Sequence, residues 1–305
     1  MGVALSPDIW YLTFALRPSL VVPIMLAPAK INLYLHVVGR RPDGYHLLDS
    51  LIVFATTGDS VTAEPDADLS LAIDGPFAEK LAADDDNLVL RAARGLRDLT
   101  GATAGARITL TKNLPVASGI GGGSADAAAT LRALAALWAV APERDALAQL
   151  ALKLGADVPV CLDSKPSFNG SIGEEIVSAG ALPQAHLLLV NPGVATPTPA
   201  VFRARSAGFS QPARWIAPPA DARALAEALK ARHNDLTDAA IIVTPVIREV
   251  LNAIGRTQDC LLARLSGSGA TCFGLYASAG AAEAARQQVS AAYPGWWAVA
   301  TRITA

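Results

Sequence analysis

At 305 residues the chain can form one large domain or two ordinary ones, and 52% apolar with 17% charged residues excludes a disordered chain. A formal net charge of −2 with no run of like charges excludes the clustered basic face that a nucleic-acid backbone requires. Three widely spaced cysteines (Cys161, Cys260, Cys272) make neither a disulfide framework nor a zinc motif, which points to the reducing cytoplasm.

Residues 9–27, "IWYLTFALRPSLVVPIMLA", are apolar but interrupted by Arg17, Pro18 and Pro23. A membrane span needs ~20 apolar residues in unbroken helix, and a secretory signal needs a basic start; this stretch has neither. Residues 1–24 read as an extension, either an extra arm or sequence ahead of a start at Met25, with coherent structure expected from Leu26.

From there the chain reads as strand, turn, strand, strand. Ile31, Leu33, Leu35 and Val37 alternate with period two, and Pro42–Asp43–Gly44 is a turn with fixed φ, an Asx bond and a positive φ in succession. "LSLAID" predicts another strand. "DDDNLVLRAARGLRDLTG" predicts a helix capped by its aspartate run and stopped by Gly101. "GARITLTKNLP" alternates again and ends at Pro115. Helices are expected over about 124–140 and 143–154, then "GADVPVCLD" as a loop into a strand, with Pro159 barring helical continuation.

"SAGFSQPARWIAPPADA" (206–222) reads as an exposed connection. Helices follow near 221–232, 235–240 and 244–254, then strand–loop–strand through "CLLARLSGSGATCFGLYAS", a helix in "AGAAEAARQQVSAAY" and a closing strand in "WWAVATRITA". Hairpins mixed with helices in both halves argue α+β rather than a regular βαβ winding, and no repeat of fixed period is present. The expected division is 25–170 and 171–305.

Four glycines in five residues, Gly119, Gly121, Gly122 and Gly123, join the strand ending at Pro115 to the helix beginning near Ser124. Helix N-termini leave amide N–H groups unpaired and favour anions, and glycines let the backbone close around a phosphate. Ser124 can cap the helix or lend its hydroxyl to phosphate or magnesium. No lysine follows, so this is not a Walker A loop. Nor is it a dinucleotide fingerprint, because Glu143, 20 positions beyond Gly123, follows a helix and no second parallel strand. A purely structural turn stays open.

Two further residues bear on the choice. Lys30 is embedded in an apolar strand start and followed by Asn32, and a buried lysine calls for a partner. Asp157 follows the helix stop at Gly155; there it is either a turn former or, beside Lys30 and a phosphate, a base with its electrostatic partner.

"APAKINLYLHVVGRRPDGYHLLDS", "LPVASGIGGGSADAAATL" and "LSGSGAT", with "DNLVLRAA", "LGADVPVCL" and "NPGVATPTPAVF" between them, resemble the three motifs and spacers of the GHMP kinase superfamily, from about Leu26 to the C-terminus. The pairing of "AKINL…RPDGYH" with "GADVP" narrows the resemblance to members that phosphorylate the 2-hydroxyl of a cytidine-diphosphate-linked methylerythritol.

The resemblance implies two α+β halves, the first like domain 2 of ribosomal protein S5 and the second ferredoxin-like, with the active site between them. It implies ATP with magnesium as cofactors, a small-molecule substrate, no nucleic-acid or membrane partner, and a monomer or homodimer. Asp157 would be the base and Lys30 its partner. ATP would lie on Pro115, Val116, Ala117, Ser118, Gly119, Ile120, Gly121, Gly122, Gly123, Ser124 and Ala125, with Asn87 and Lys112 at the adenine.

On the substrate side the resemblance implies Asn32, with Tyr45 and His46 at the cytidine end, His46 reading the base edge and Phe202 stacking on the other side. Ser266, Gly267, Ser268 and Gly269 would form a loop closing over the site. One departure is visible: Ala125 stands where many relatives carry a second serine after Ser124. Kinases of mevalonate or homoserine, and a non-catalytic nucleotide-binding protein, are the competing readings; "GYH" and "PTPAVF" speak against the first two, and Lys30 with Asp157 against the third. A Rossmann-type dehydrogenase is disfavoured by the hairpins ahead of the loop.

Overall fold

The computed structural model describes residues 24–84 and 86–304. The expectations for the extension at residues 1–23 therefore lie outside the described residues.

Two long strands, β1 (Met25–Arg40) and β2 (His46–Asp66), pair antiparallel from Met25 opposite Val61 to Arg40 opposite His46. Their turn uses the chemistry legible in Pro42–Asp43–Gly44: Gly44 has φ +93°, and Asp43 Oδ1 accepts the Tyr45 N–H at 3.2 Å. β3 (Leu69–Asp74) runs parallel to β4 (Gly105–Thr111), and β5 (Ser167–Ser171) and β6 (Glu175–Ser178) extend the other side. The order is β3-β4-β2-β5-β6, with β1 also on β2. Residue 170, where a division was expected, lies within β5, hydrogen-bonded to β2.

Helices cover one face of this sheet. α1 (Leu88–Thr100) is capped by Asn87, whose side chain accepts from the Val89 N–H, and ends on Gly101 at φ +68°. The expected aspartate run thus precedes the cap rather than supplying it. α2 (Gly122–Leu137) is rich in alanine because it is buried, and small side chains let it lie close against β1 and β2. α3 (Arg144–Leu154) follows. "VPVCLD", expected to be loop, forms a short helix, α4 (Val158–Asp163). α3 stops at Leu154 as expected, but Pro159 sits in the first turn of α4, where the missing N–H has no intrahelical partner to lose, so the proline also opens a new helix.

β7 (His186–Asn191), α5 (Thr198–Ala204), α6 (Ala222–Lys230), α7 (Thr237–Val243), α8 (Val246–Gly255), β8 (Leu262–Leu265), β9 (Cys272–Tyr276), α9 (Ala279–Ala292) and β10 (Trp297–Arg302) build the second half. Its sheet, β10-β7-β9-β8, is antiparallel throughout, the strand order of a ferredoxin-like unit. One core lies between the two sheets, joining Ile31, Leu33 and Val53 to Leu187, Leu189 and Phe273; others lie under α1–α4 and under α7–α9. Residues 206–221 carry no helix or strand, as expected, but are not merely an exposed connection. Asp49, buried on β2, accepts from the Ala213 N–H at 2.7 Å and from Arg214 Nε at 2.8 Å, and Trp215 packs edge-on against Phe168. Among the described residues no helix is long and apolar enough to cross a membrane.

Candidate active site

A cleft of about 580 Å³ opens between the two halves, lined by β1, β2 and β5 on one side and by α5 and the turn after β8 on the other, and the glycine loop forms one wall. The loop is fastened to β1 by the Lys30 N–H, which donates to the Ile120 carbonyl at 2.9 Å. Helix α2 begins at Gly122, two residues earlier than expected, with Gly121 at φ +64° preceding it. A Cβ on Gly121 would lie 3.1 Å from the Lys30 side chain, so glycine suits the position for its positive φ and for the close approach of Lys30. Gly122, Gly123 and Ser124, whose N–H groups have no partners within the helix, line the cleft.

Pro115, Val116, Ala117, Ser118, Gly119, Gly121, Gly122, Gly123 and Ser124 all line the cleft. Ile120 and Ala125 do not: Ile120 is buried in the core between the sheets, and Ala125, on α2, in the core under α1–α4, because the chain's turn aims these two inward.

Lys30 and Asp157 meet in the cleft. Lys30 Nζ donates to Asp157 Oδ2 at 2.8 Å; the lysine side chain is 6% exposed and the aspartate 42%. Asp157 stands at the start of α4 without capping it, so its carboxylate is free to face outward.

Lys112, expected at the adenine, lines the cleft, but its ammonium is taken. It donates to Asp59 at 2.5 Å and Asp126 at 2.7 Å in a buried triad beneath the start of α2. Burial opposes the lysine's charge, yet Asp126 and Asp59 together hold its pKa above the ordinary value. Burial pushes the Asp126 carboxyl up to about 7, against the pull of Lys112 and with the help of Asp59. Asp59 also accepts the Asn113 and Leu114 N–H groups at 2.6 and 2.7 Å, fixing the exit from β4. Asn87 lines an adjoining hollow of about 300 Å³ that shares Leu81, Leu88, Gly123 and Asp126 with the cleft. Its own amide is occupied in capping α1 and in donating to the Ala82 carbonyl.

The "SGSG" turn, expected as a loop closing over the site, packs against the glycine loop. A Cβ on Gly119 would lie 2.6 Å from the Gly269 carbonyl oxygen and 2.7 Å from that of Ser266. The two loops therefore touch backbone to backbone. The Thr271 N–H donates to the Ser118 carbonyl at 3.0 Å, and the Ser266 hydroxyl bridges the Asn32 N–H and the Gly119 carbonyl at 3.2 Å each. Gly267 and Ser268 line the cleft, whereas Ser266 and Gly269 are spent on this seam. Asn32 lines the cleft too, its Nδ2 donating to Ser50 Oγ at 2.8 Å.

At the far end Phe202, on α5, forms a wall with Leu35, Leu48 and Ile172. His46 stacks on Phe202 with ring centroids 4.9 Å apart and planes inclined by 24°. The two rings therefore do not bracket a vacant slot; a base can stack only on the other face of Phe202. Burial, then Arg40 and Arg205, lower the His46 pKa, which keeps its imidazole neutral. Tyr45 is 62% exposed on the hairpin turn and does not line the cleft.

Residues 87–165 match the model of the GHMP kinases N terminal domain and residues 218–295 that of the GHMP kinases C terminal domain. The chain is 58% identical to the 4-diphosphocytidyl-2-C-methyl-D-erythritol kinase of Paramagnetospirillum magneticum, over 89% of this chain and 95% of that one. Its identity to the kinase of the same name from Rhodospirillum rubrum is 52%, over 95% of each. A crystal structure of a 4-(cytidine 5'-diphospho)-2C-methyl-D-erythritol kinase superposes with a TM-score of 0.76 at 32% identity, covering 93% of this chain and all (100%) of that one. Homoserine kinase from Cytophaga hutchinsonii superposes with a TM-score of 0.72 at 18% identity, covering 96% of this chain and 97% of that one, a likeness of fold alone.

Proposed function

The chain belongs to the GHMP kinases of the 4-diphosphocytidyl-2-C-methyl-D-erythritol kinase type, and from that premise we propose how its cleft carries out ATP-dependent phosphorylation of the substrate's 2-hydroxyl. The observation that carries the reading is the ion pair of Lys30 with a half-exposed Asp157 beside the N-terminus of α2.

The loop amides and the start of α2 bind the ATP phosphates. The acceptor hydroxyl lies against Asp157, which orients it and takes its proton late, since a hydroxyl is far less acidic than any carboxylic acid. Lys30 holds that carboxylate pointed at the hydroxyl, and its charge offsets the charge spreading over the transferring phosphoryl oxygens. Positioning and electrostatics carry most of the rate. Asn32 and Ser268 flank the acceptor, and Phe202 offers its open face to the cytosine.

Among the described residues no cluster of three or more acidic, histidine or cysteine side chains could hold a metal alone. Magnesium keeps most of its shell as water and phosphate oxygen, so the Ser124 hydroxyl on the cleft wall would suffice as its protein ligand. When bound it neutralises phosphate charge. We place the division between the halves after Ser178, where the first sheet ends, and the enzyme in the cytoplasm, where its three free cysteines stay reduced.

An ADP-release assay tests this with the cytidylyl substrate set against methylerythritol phosphate, mevalonate and homoserine. Turnover of the cytidylyl substrate alone is expected; turnover of mevalonate or homoserine alone would overturn the substrate assignment.

A further inference from the structure

Arg132 lies on α2, ten residues beyond the helix start at Gly122 and about 15 Å along the axis from the phosphate-binding end. It makes no contact with the cleft, and nothing in the reaction described so far uses it. Its guanidinium nevertheless touches both segments that deliver the reacting side chains. Nη1 donates to the Cys161 and Leu162 carbonyls at 2.9 Å each, and Nη2 donates to the Leu26 carbonyl at 2.8 Å. Cys161 and Leu162 belong to the last turn of α4, whose preceding residue is Asp157. Leu26 lies at the start of β1, four residues before Lys30.

We propose that Arg132 is a positioning residue that sets Asp157 and Lys30 at a fixed distance from the bound phosphates, acting through the backbone of α4 and β1. The inference rests on the catalytic reading of Asp157 and Lys30 given above.

Two physical points carry it. Helix α4 has only six residues, too few to be stable by itself, and its final carbonyls have no partners within the helix. Apart from the capping contacts of Ser164, whose hydroxyl donates to the Cys161 carbonyl at 2.9 Å, those carbonyls are held by Arg132, so the guanidinium ties the end of the helix, whose other face packs in the core, to α2. The second point is geometric. A guanidinium is rigid and planar, so three donated bonds fix three acceptors relative to one another, which a lysine ammonium on a flexible stem cannot reproduce. Burial lowers the Arg132 pKa, yet arginine stays charged throughout the working range. The helix whose N-terminus holds the phosphates thereby carries, on the same rigid rod, the strut that holds the base and the lysine.

The test is steady-state kinetics on the full chain with Arg132→Met, Arg132→Lys and Arg132→Ala, the last with and without added guanidinium chloride, and with melting temperatures measured in parallel. Expected are a kcat at least tenfold lower in Arg132→Met, a KM for ATP within twofold of wild type, an intermediate kcat in Arg132→Lys, and recovery of Arg132→Ala by guanidinium but not by ammonium. Wild-type kcat in folded Arg132→Met would overturn the proposal. So would a joint fall of kcat and ATP affinity with no recovery by guanidinium, which marks a role in folding only. If Arg132→Met and Arg132→Ala do not fold, Arg132→Lys decides: wild-type kcat in it overturns the proposal, and a lowered kcat with unchanged KM for ATP upholds it. Asp157→Asn run alongside separates the two readings: full turnover there removes the catalytic assignment itself, whereas an inactive Asp157→Asn beside a fully active Arg132→Met removes only the strut.

Discussion

Lys30 and Asp157, 127 residues apart in sequence, meet at 2.8 Å with opposite exposures: the ammonium is buried and the carboxylate half open to the cleft. The dry partner cannot leave without stranding a charge, so the wet one is held in place at the edge where an acceptor hydroxyl arrives. Asp157→Asn keeps the shape and removes the proton acceptor. Its kcat should fall by ~10²–10⁴, in line with loss of one general base, while ATP binding measured by calorimetry stays within a few-fold of wild type. Undiminished turnover would take Asp157 out of the chemistry.

Gly119→Ala should be far more damaging than an added methyl suggests. The residue has φ +76°, and its Cβ would stand 2.6–2.7 Å from backbone atoms of Ser266 and Gly269 that have no side-chain freedom to yield. Strain and overpacking together are worth about 2–4 kcal/mol, to be read from the denaturant midpoint, with ATP affinity falling as the loop is displaced. A variant as stable and as tight-binding as wild type would show that the two loops are not seated on each other.

The Lys112 triad makes stability depend on pH through Asp126. An unfolded aspartate titrates near the ordinary carboxylate value; in the fold burial pushes it up to about 7, against Lys112 and aided by Asp59. Between those values the folded chain holds more of this proton than the unfolded one, so the residue's contribution to stability declines as pH rises from roughly 4 to 7. Asp126→Asn removes that slope. The melting temperature of the variant relative to wild type should climb with pH across this window and level off above it; a relative fall would contradict the raised carboxyl.

Phe202→Ala removes the aromatic wall and leaves the phosphate loop untouched. The KM for the cytidylyl substrate should rise about tenfold, the worth of one good aromatic stack, with the KM for ATP unchanged. Equal changes in both would mean that α5 supports the whole cleft rather than the pyrimidine end.

The glycine loop, Lys30 and Asp157 were legible because each breaks a local rule: clustered glycines before a strong helix former, a lysine in an apolar strand, an aspartate at a helix stop. Pro159 misled because a proline ends one helix and opens another equally well, and the choice depends on where the chain must turn next. The contact of the "SGSG" turn with the glycine loop was not legible at all. Glycines that let a backbone wrap a ligand also let it lie flat against another backbone, and only tertiary placement tells the two apart. Asp126 stood in plain view in "GGGSADA", whereas Asp59 gave no signal, since a single polar residue on a long strand reads as surface until its partner is known. His46 against Phe202 shows the same limit: His46 was expected to read the edge of a base and Phe202 to stack on it, and neither sequence position foretells that the two rings stack on each other.

The seam between Gly119 and the turn at Ser266–Gly269 also bears on how such an enzyme can be divided or recombined. A polypeptide cut after Ser178 would retain Lys30, Asp157 and every amide of the phosphate loop, but not the surface that gives the loop its curvature. Exchange of the C-terminal half with that of a related kinase would preserve function only if the incoming turn matched this seam closely, because apart from the Ser266 hydroxyl its contacts run backbone to backbone and leave little to repack. The two halves are thus not interchangeable modules but one inseparable catalytic unit.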